Sequence, residues 1–195
     1  MNVQVKSSNG ITLVPAESIL LSARKIFING EISEKTACDF LEQMLWLNKE
    51  DDEKLISLYI NSPGGNVNAG LLIYDVIQDS PAPVRTFCMG TAYGIGAVLL
   101  ACGNHGRYIL PHSETMLRES LLGVCVIGSS SSINYVSSRR AEERKTLNSI
   151  LSKHTGRPIS EIEQAVQSGH YFSAQEAVEF NLCDNIVQFK NSMED

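Results

Sequence analysis

A predicted strand-to-helix corner at Gly94 is the first place in this sequence where chemistry could occur. The stretch TFCMGTAYGIGAVLLACG, residues 86–103, begins as a buried strand that breaks at Gly90. It continues as a glycine-rich apolar helix over 94–102. Corners of this kind often carry a reactive side chain, whereas Gly94 has none. The glycines here could equally serve the turn and close strand-to-helix packing.

Other hydroxyl, thiol and imidazole groups could act as nucleophile or base: Ser62, Ser113, Ser120, Cys125, His105, His112, His154 and His170. A nucleophile and its base must meet at about 3 Å, and the sequence does not specify that distance. We therefore expect the histidines to face solvent or bond locally, and Ser120 to be a loop residue. The five cysteines lie mostly in apolar sequence without C-x-x-C spacing, so we expect buried thiols and no metal or redox site: Cys38, Cys88, Cys102, Cys125 and Cys183.

Strands and helices alternate along the part of the chain that would position the corner. Strands are predicted at KIFIN (25–29), LISLYI (55–60), VRTFCMG (84–90) and RYILP (107–111), and TMLRES (115–120) is a further strand or extended edge. One helix is predicted over 68–80, and Pro81 and Pro83 end it. Another helix is predicted to begin after Ser33, because apolar residues follow at helical spacing: Ala37, Phe40, Leu41, Met44 and Leu45. This alternation predicts an α/β fold with parallel strands and right-handed crossovers.

The last third of the sequence predicts more helix. A long amphipathic helix over Ser132–His154 is closed by Gly156, with Pro158 behind it. Two capping boxes, Ser160-x-x-Glu163 and Ser173-x-x-Glu176, predict two further helix starts. The segment NLCDNIV (181–187) is expected to close the fold as a short strand.

The length, charge and hydropathy of the chain argue against nucleic-acid and membrane partners. At 195 residues with 43% hydrophobic and 19% charged residues, the chain is typical of a single compact domain. A net charge of −6, without a block of lysine or arginine, offers no footprint for nucleic acid. The first ten residues lack the pattern of a signal peptide, and no apolar run approaches the about 20 residues that span a bilayer. We expect a cytoplasmic location without cofactor or membrane partner.

The segments LYINSPGGNVNAGLLIYD and CMGTAYGIGAVLLACG resemble the proteolytic subunit of the Clp protease, ClpP, within the crotonase-like superfamily. The resemblance continues through ILPHSETML, SKHTGRPISEIE and YFSAQEAVEFNLCDNIV, and covers about residues 25–187. It implies a fold of repeated β-β-α units over 25–195, with a handle of extended loop and long helix at about 119–156. Residues 1–24 would be an N-terminal segment that could form an axial loop.

The same resemblance assigns the catalytic positions. Active members of the family use a serine, a histidine and an aspartate, and the matching positions here are Gly94, Arg118 and Gly169. The amides of Gly65, in the loop SPGG, and of Ile95 would be the remnant of an oxyanion hole. We expect no intact catalytic residue, because Gly94 has no hydroxyl and a guanidinium cannot act as a base near neutral pH.

The resemblance also implies an assembly of two stacked heptameric rings fed by an ATP-dependent (AAA+) unfoldase. An ion pair that couples the rings would be absent at Gly169 and His170, so homotypic stacking is expected to be weak. Tyr59 fits the unfoldase-docking pocket, whereas Ser57 replaces a residue that is often aromatic. Arg118 could pair with Glu119, Glu114 or a neighbouring subunit, or its stem could lie over apolar surface with the head in water.

These observations favour a non-proteolytic ClpP-like subunit with a structural or regulatory role. Its partners would be copies of itself, as a ring or double ring, an active ClpP paralogue, or both. Two alternatives stay open: a crotonase-like enzyme with a different catalytic constellation, and a self-assembling scaffold without a Clp partner.

Overall fold

The computed structural model describes residues 1–7, 10–119 and 130–190. Ser120, Cys125 and the part of the expected handle over 120–129 lie outside the described residues. The N-terminal segment contains two antiparallel strands, β1 (Asn2–Ser7) and β2 (Gly10–Pro15), followed by the helix α1 (Ala16–Ser22). The two strands make a sheet of their own.

A seven-stranded sheet forms the centre of the described fold. Its strands are β3 (Lys25–Asn29), β4 (Ile56–Ser62), β5 (Val84–Tyr93), β6 (Arg107–Ile109), β7 (Glu114–Met116), β8 (Tyr171–Phe172) and β9 (Asn185–Ile186). The order β3-β4-β5-β6-β9 is parallel throughout, which confirms the predicted pairing. β4 is buried on both faces, as its apolar sequence predicts.

The ten-residue strand β5 pairs with two different strands along its length. Its first half pairs with β6 and its second half with β7, both in parallel. β8 then adds to β7 in antiparallel register, with Met116 opposite Tyr171. The far end of β5 therefore lies beside β7, and through β7 beside β8.

The helices are α2 (Glu34–Glu50), α3 (Val67–Asp79), α4 (Ile95–Ala101), α5 (Ser130–Thr155), α6 (Ile159–Ser168) and α7 (Ala174–Glu179). The predicted long helix is α5, which begins two residues earlier than expected. The capping box of Ser173 and Glu176 is confirmed, and the bonds from Ser173 hold the pKa of Glu176 below its usual range.

The predicted capping box at Ser160 and Glu163 is wrong. α6 begins at Ile159, directly behind Pro158, so Ser160 is already inside the first turn. Proline suits the start of a helix because its fixed φ is compatible with helix entry and its missing N–H costs nothing there. An ion pair between Arg157 and Glu161, at 3.0 Å, supports the first turn instead.

On α2 the predicted apolar face is shifted. Ala37, Phe40 and Met44 are buried as expected, but Leu45 is 63% exposed and the stripe continues to Leu47, which is fully buried. Each residue turns a helix by 100°, so Leu45 lies off the stripe that the i, i+3, i+7, i+10 spacing of the four buried residues defines.

The described cysteines divide into two groups. Cys88, Cys102 and Cys183 are buried, and burial raises the pKa of each thiol to about 12, as expected for inert thiols. Cys38 is exposed on α2, so the prediction of a buried thiol is wrong there. It follows the buried Ala37 and therefore points away from the stripe.

Arg107 joins the last third of the chain to the sheet. Its side chain is 10% exposed and forms an ion pair with Asp184. Its Nη1 donates to the carbonyls of His154 (3.0 Å) and Asn181 (2.9 Å), and Nη2 donates to the side-chain oxygen of Asn181 (2.9 Å). One guanidinium thus fixes β6, the end of α5 and the segment before β9.

At the end of α5, His154 lies half-buried against α3, with its Nε2 3.1 Å from the hydroxyl of Tyr74. Burial lowers the pKa of His154, and the charges of Lys153 and Arg107 lower it further. The unfolded chain would take up this proton near a pH of about 6.5, whereas the folded chain resists it. The free energy of unfolding should therefore decrease as the pH falls below about 6.5.

We predict that the urea midpoint drops between about pH 7.5 and about pH 5.5, on either side of the usual histidine pKa. His154→Gln should show a smaller drop, because glutamine can still bond to Tyr74 but does not titrate. An equal drop in both chains would contradict the assignment.

Candidate active site

The corner between β5 and α4 lies at Gly94, as predicted, but the predicted break of the strand at Gly90 is wrong. β5 shifts its register against β4 between Cys88 and Ala92 and continues to Tyr93. Gly94 separates the two elements with φ 54° and ψ −116°, a conformation that L side chains rarely adopt. Its N–H donates to the carbonyl of Met116 at 2.8 Å, and its carbonyl accepts from Ala97 N at 3.1 Å. The turn is therefore held by backbone bonds to β7 and to α4, independently of any side chain at the corner.

The loop Ser62-Pro63-Gly64-Gly65 lies against the segment before α2. Ile32 N donates to Gly64 O at 2.9 Å, and Asn66 N donates to Ile32 O at 2.8 Å. This is a parallel bridge, so the N–H of Gly65 is directed away from Ile32. A Cβ on Gly65 would lie 2.2 Å from the Ile32 carbonyl oxygen. Close packing alone therefore requires this glycine, whatever the loop does chemically.

Arg118 lies directly over the corner. A Cβ added to Gly94 would lie 3.9 Å from its Cγ, and its Nη2 donates to the carbonyl of Pro63 at 2.9 Å. The side chain therefore bridges the two halves of the cleft.

Of the alternatives left open for Arg118, pairing with Glu119 or Glu114 is not found in the described chain. Glu119 forms an ion pair with Arg144 at 2.8 Å, and Glu114 accepts a hydrogen bond from the Tyr93 hydroxyl at 3.1 Å. Each carboxylate thus has another donor, and that bond to Glu114 contributes to a raised pKa of Tyr93, after the larger effect of burial.

Gly169 ends α6 in the left-handed region, with φ 63° and ψ 46°. The next residue, His170, accepts a hydrogen bond from Leu117 N at 3.0 Å through its carbonyl. The structure therefore brings the third predicted position beside the segment that carries Arg118. A Cβ on Gly169 would meet no atom within 4 Å among the described residues, and the His170 ring packs edge-on against Phe172.

Two adjoining cavities open around the corner. The smaller, of about 220 Å³, is lined by Gly65, Gly94, Ile95 and Arg118, with Glu31 and Glu119 at its wall. The larger, of about 380 Å³, lies between α4, α5 and α6 and shares Gly94 and Arg118 with it. Gly65 and Ile95, the residues predicted to form an oxyanion hole, therefore line one cavity together with Gly94 and Arg118.

Within residues 1–7, 10–119 and 130–190, the other candidate groups do not form a catalytic pair. Ser62 exchanges hydrogen bonds with Gly64, and Ser113 accepts from Gly90 N at 2.7 Å. His105, His112 and His170 are exposed, and His154 bonds to Tyr74, as expected of solvent-facing or locally bonded histidines. In the described ranges, no serine or cysteine is hydrogen-bonded to an imidazole, and no group of three potential ligands could hold a metal ion.

Sequence reasoning missed the contribution of α5 to this site. Leu147, Asn148 and Leu151 line the larger cavity, and Asn148 is only 3% exposed. A signal was present, because Asn148 interrupts an apolar stripe formed by residues three and four positions apart. The sequence could not show which element that stripe faces.

The two glycines of the cleft should respond differently to a methyl group. Gly65→Ala should destabilise the chain severely, since the added Cβ would collide with the backbone of Ile32. Gly94→Ala meets only ordinary contacts and should cost about 1–3 kcal/mol for its positive φ. Urea unfolding of both variants measures the difference. Equal losses would show that the approach of Gly65 to Ile32 is not as close as described.

Comparison with known families agrees with this geometry. Residues 9–190 match the family model described as Clp protease. The match extends beyond the 25–187 range of the motifs and reaches into β2. The mixed α/β architecture with a parallel sheet is consistent with the ClpP/crotonase fold, and none of the described helices is long and apolar enough to cross a membrane. The chain belongs to the Clp protease (ClpP) family.

Proposed function

We propose that this chain is a non-proteolytic member of the family, which serves as a structural or regulatory subunit of a Clp-type barrel. The observation that carries the proposal is that Gly94, at the strand-to-helix corner between β5 and α4, has no nucleophilic side chain. Hydrolysis by a serine mechanism requires a hydroxyl at such a corner.

Arg118 supports the same reading. A guanidinium is a permanent cation near neutral pH, so it cannot take a proton from a nucleophile. No histidine borders either cavity in the part of the chain that the structure describes. A cleft with neither hydroxyl at the corner nor imidazole beside it lacks both partners of the proton transfer.

Assembly is the function that this family fold still supports. Clp protease family proteins form oligomeric barrels, and a subunit without hydrolytic groups could occupy a place in such a barrel beside an active paralogue. At Gly169 and His170 no opposite charges are available to couple two identical rings, which favours a mixed assembly.

The face proposed for unfoldase docking is also altered. Phe27, Tyr59, Phe87 and Tyr108 form a row of stacked rings across four strands, with centroids 4.8–5.0 Å apart. Ser57, beside this row, accepts a hydrogen bond from Arg85 Nε at 2.8 Å, and the Arg85 guanidinium lies over Phe87. A buried serine and a cation in place of an aromatic ring would weaken an apolar docking contact, so docking would fall to the partner subunit.

We predict that the purified chain shows no turnover of a fluorogenic peptide and no labelling by a serine-reactive phosphonate. Loss of the nucleophile or base in a serine protease lowers turnover by about 10⁶-fold. A triad-bearing relative is the positive control. Gly94→Ser should remain silent as well, because Arg118 cannot activate the new hydroxyl.

Turnover of the unmodified chain at a rate comparable to the control, abolished by the phosphonate, would overturn the proposal. Labelling of the chain at any residue, located by mass spectrometry, would do the same.

One observation favours a second candidate, a crotonase-like enzyme with another constellation. Glu31 and Glu119 line the smaller cavity together with Gly65 and Ile95. Glu119 is engaged by Arg144, which leaves Glu31 as the more accessible base. Hydrolysis of an acyl thioester that Glu31→Gln abolishes would support this candidate over the inert subunit.

The mixed assembly gives its own prediction. Light scattering of the chain alone should yield particles smaller than a double ring, and mixing with a triad-bearing sibling from the same genome should yield a larger particle that contains both. A stable double ring of this chain alone, unchanged by the sibling, would favour the self-assembling scaffold instead.

A further inference from the structure

The side chain of Arg118 crosses the cleft in front of the corner between β5 and α4. Its Nη2 donates to the carbonyl of Pro63 at 2.9 Å, so the side chain runs from the segment after β7 to the loop after β4. It lines both cavities, as Gly94 does. One side chain therefore lies where the two cavities meet.

Backbone hydrogen bonds hold the two ends of this crossing in place. At the end from which Arg118 projects, Leu117 N donates to His170 O at 3.0 Å. At the Pro63 end, Ile32 N donates to Gly64 O at 2.9 Å and holds the loop. The sheet and the loop thus set the width that the arginine side chain spans.

The stem of Arg118 occupies the direction in which a side chain at Gly94 would project. A Cβ added to Gly94 would lie 3.9 Å from Arg118 Cγ and 4.0 Å from Arg118 Nε, which is ordinary van der Waals contact. A ligand that approached Gly94 from this side would first have to displace the arginine. Groups that close over a site in this way exclude ligands from it.

The crossing is held by a bond that can open. The charged donor of Arg118 meets a neutral carbonyl, and no carboxylate lies within 4.0 Å of its guanidinium in the described residues. Glu119, which lines the same cavity, forms an ion pair with Arg144 at 2.8 Å. Arg118 is only half-buried, so water competes for its donors. The closed position depends on the hydrogen bond to Pro63, and a substitution of Arg118 removes that bond.

We propose that Arg118 is an autoinhibitory strap, which closes the cleft of this chain to peptides. The inference deepens the proposed function and rests on it, because only a subunit that does not cut can keep its corner covered. In a mixed barrel, a closed cleft keeps the inert subunit from retaining the peptides that an active paralogue releases.

The test places a thiol at the corner and measures how fast a neutral reagent reaches it. Gly94→Cys is treated with N-ethylmaleimide, and mass spectrometry follows modification at position 94 separately from that of the native cysteines. We expect Gly94→Cys combined with Arg118→Ala to react about tenfold or more faster than Gly94→Cys alone, since one hydrogen bond with a charged donor maintains the closed position. Loss of the charge alone would slow the reaction, because a nearby cation lowers the pKa of a thiol and makes it more reactive.

Arg140→Ala is the matched control. It removes the same charge from the wall of the larger cavity and leaves the bond from Arg118 to Pro63 in place. Combined with Gly94→Cys, it should leave the labelling rate unchanged or lower it. Circular dichroism checks that each variant is folded.

A second measurement needs no change at Gly94. Hydrogen exchange of single amides is compared between the unmodified chain and Arg118→Ala. Ile95, which lines the smaller cavity, should exchange about tenfold faster in the variant, for the same reason as the thiol. Gly94, whose N–H is bonded to Met116 O, should exchange at an unchanged rate.

Labelling that is equal or slower without Arg118, or an equal acceleration by Arg140→Ala, would overturn the strap. An equal acceleration of exchange at Gly94 and Ile95 would overturn it as well, because the whole corner would then have loosened. Turnover of the fluorogenic peptide tests the proposed function separately. An active chain with a slowly labelled thiol and an inert chain with an open corner are therefore distinguishable results.

Discussion

The guanidinium of Arg107 is the interaction on which the functional half of the molecule depends. It brings a positive charge almost wholly inside the protein and surrounds it with Asp184 and with oxygen atoms from His154 and Asn181. A charge buried in this way is tolerated only when its donors are matched by acceptors. Because the acceptors come from separate elements, these hydrogen bonds fix the position of the end of α5 against β6.

The consequence for the cleft is geometric. Once His154 is held, the preceding turns of α5 carry Leu147, Asn148 and Leu151 to the wall of the larger cavity, because a helix is rigid over so short a distance. The opposite wall is set by the corner at Gly94 and by the packing of Gly65 on Ile32. The cleft is thus formed by the bonds of the Arg107 guanidinium on one side and by backbone packing on the other. It does not require catalytic side chains for its shape.

Because the shape of the cleft does not depend on catalytic side chains, Gly65 and Gly94 can each be explained by packing and turn geometry or by a role in catalysis. Gly65 is needed for packing against Ile32, whatever the loop does chemically. Gly94 differs, since backbone bonds hold its turn and there is space for a Cβ beside Arg118. A side chain at Gly94 is therefore limited by conformation and not by crowding.

The sequence by itself determined the parallel strands, the corner, the long helix and the identity of the groups at Gly94, Arg118 and Gly169, because these follow from local periodicity, turn residues and motif order. Only the tertiary structure decided which helix faces are buried, where α6 begins and which partners the charged side chains bind. Leu45 is exposed, and α6 begins at Ile159. Arg118 donates a hydrogen bond to the carbonyl of Pro63, whereas Glu119 forms an ion pair with Arg144. The physical reason is that long side chains choose among acceptors brought together by distant segments, and spacing along the chain does not record those distances.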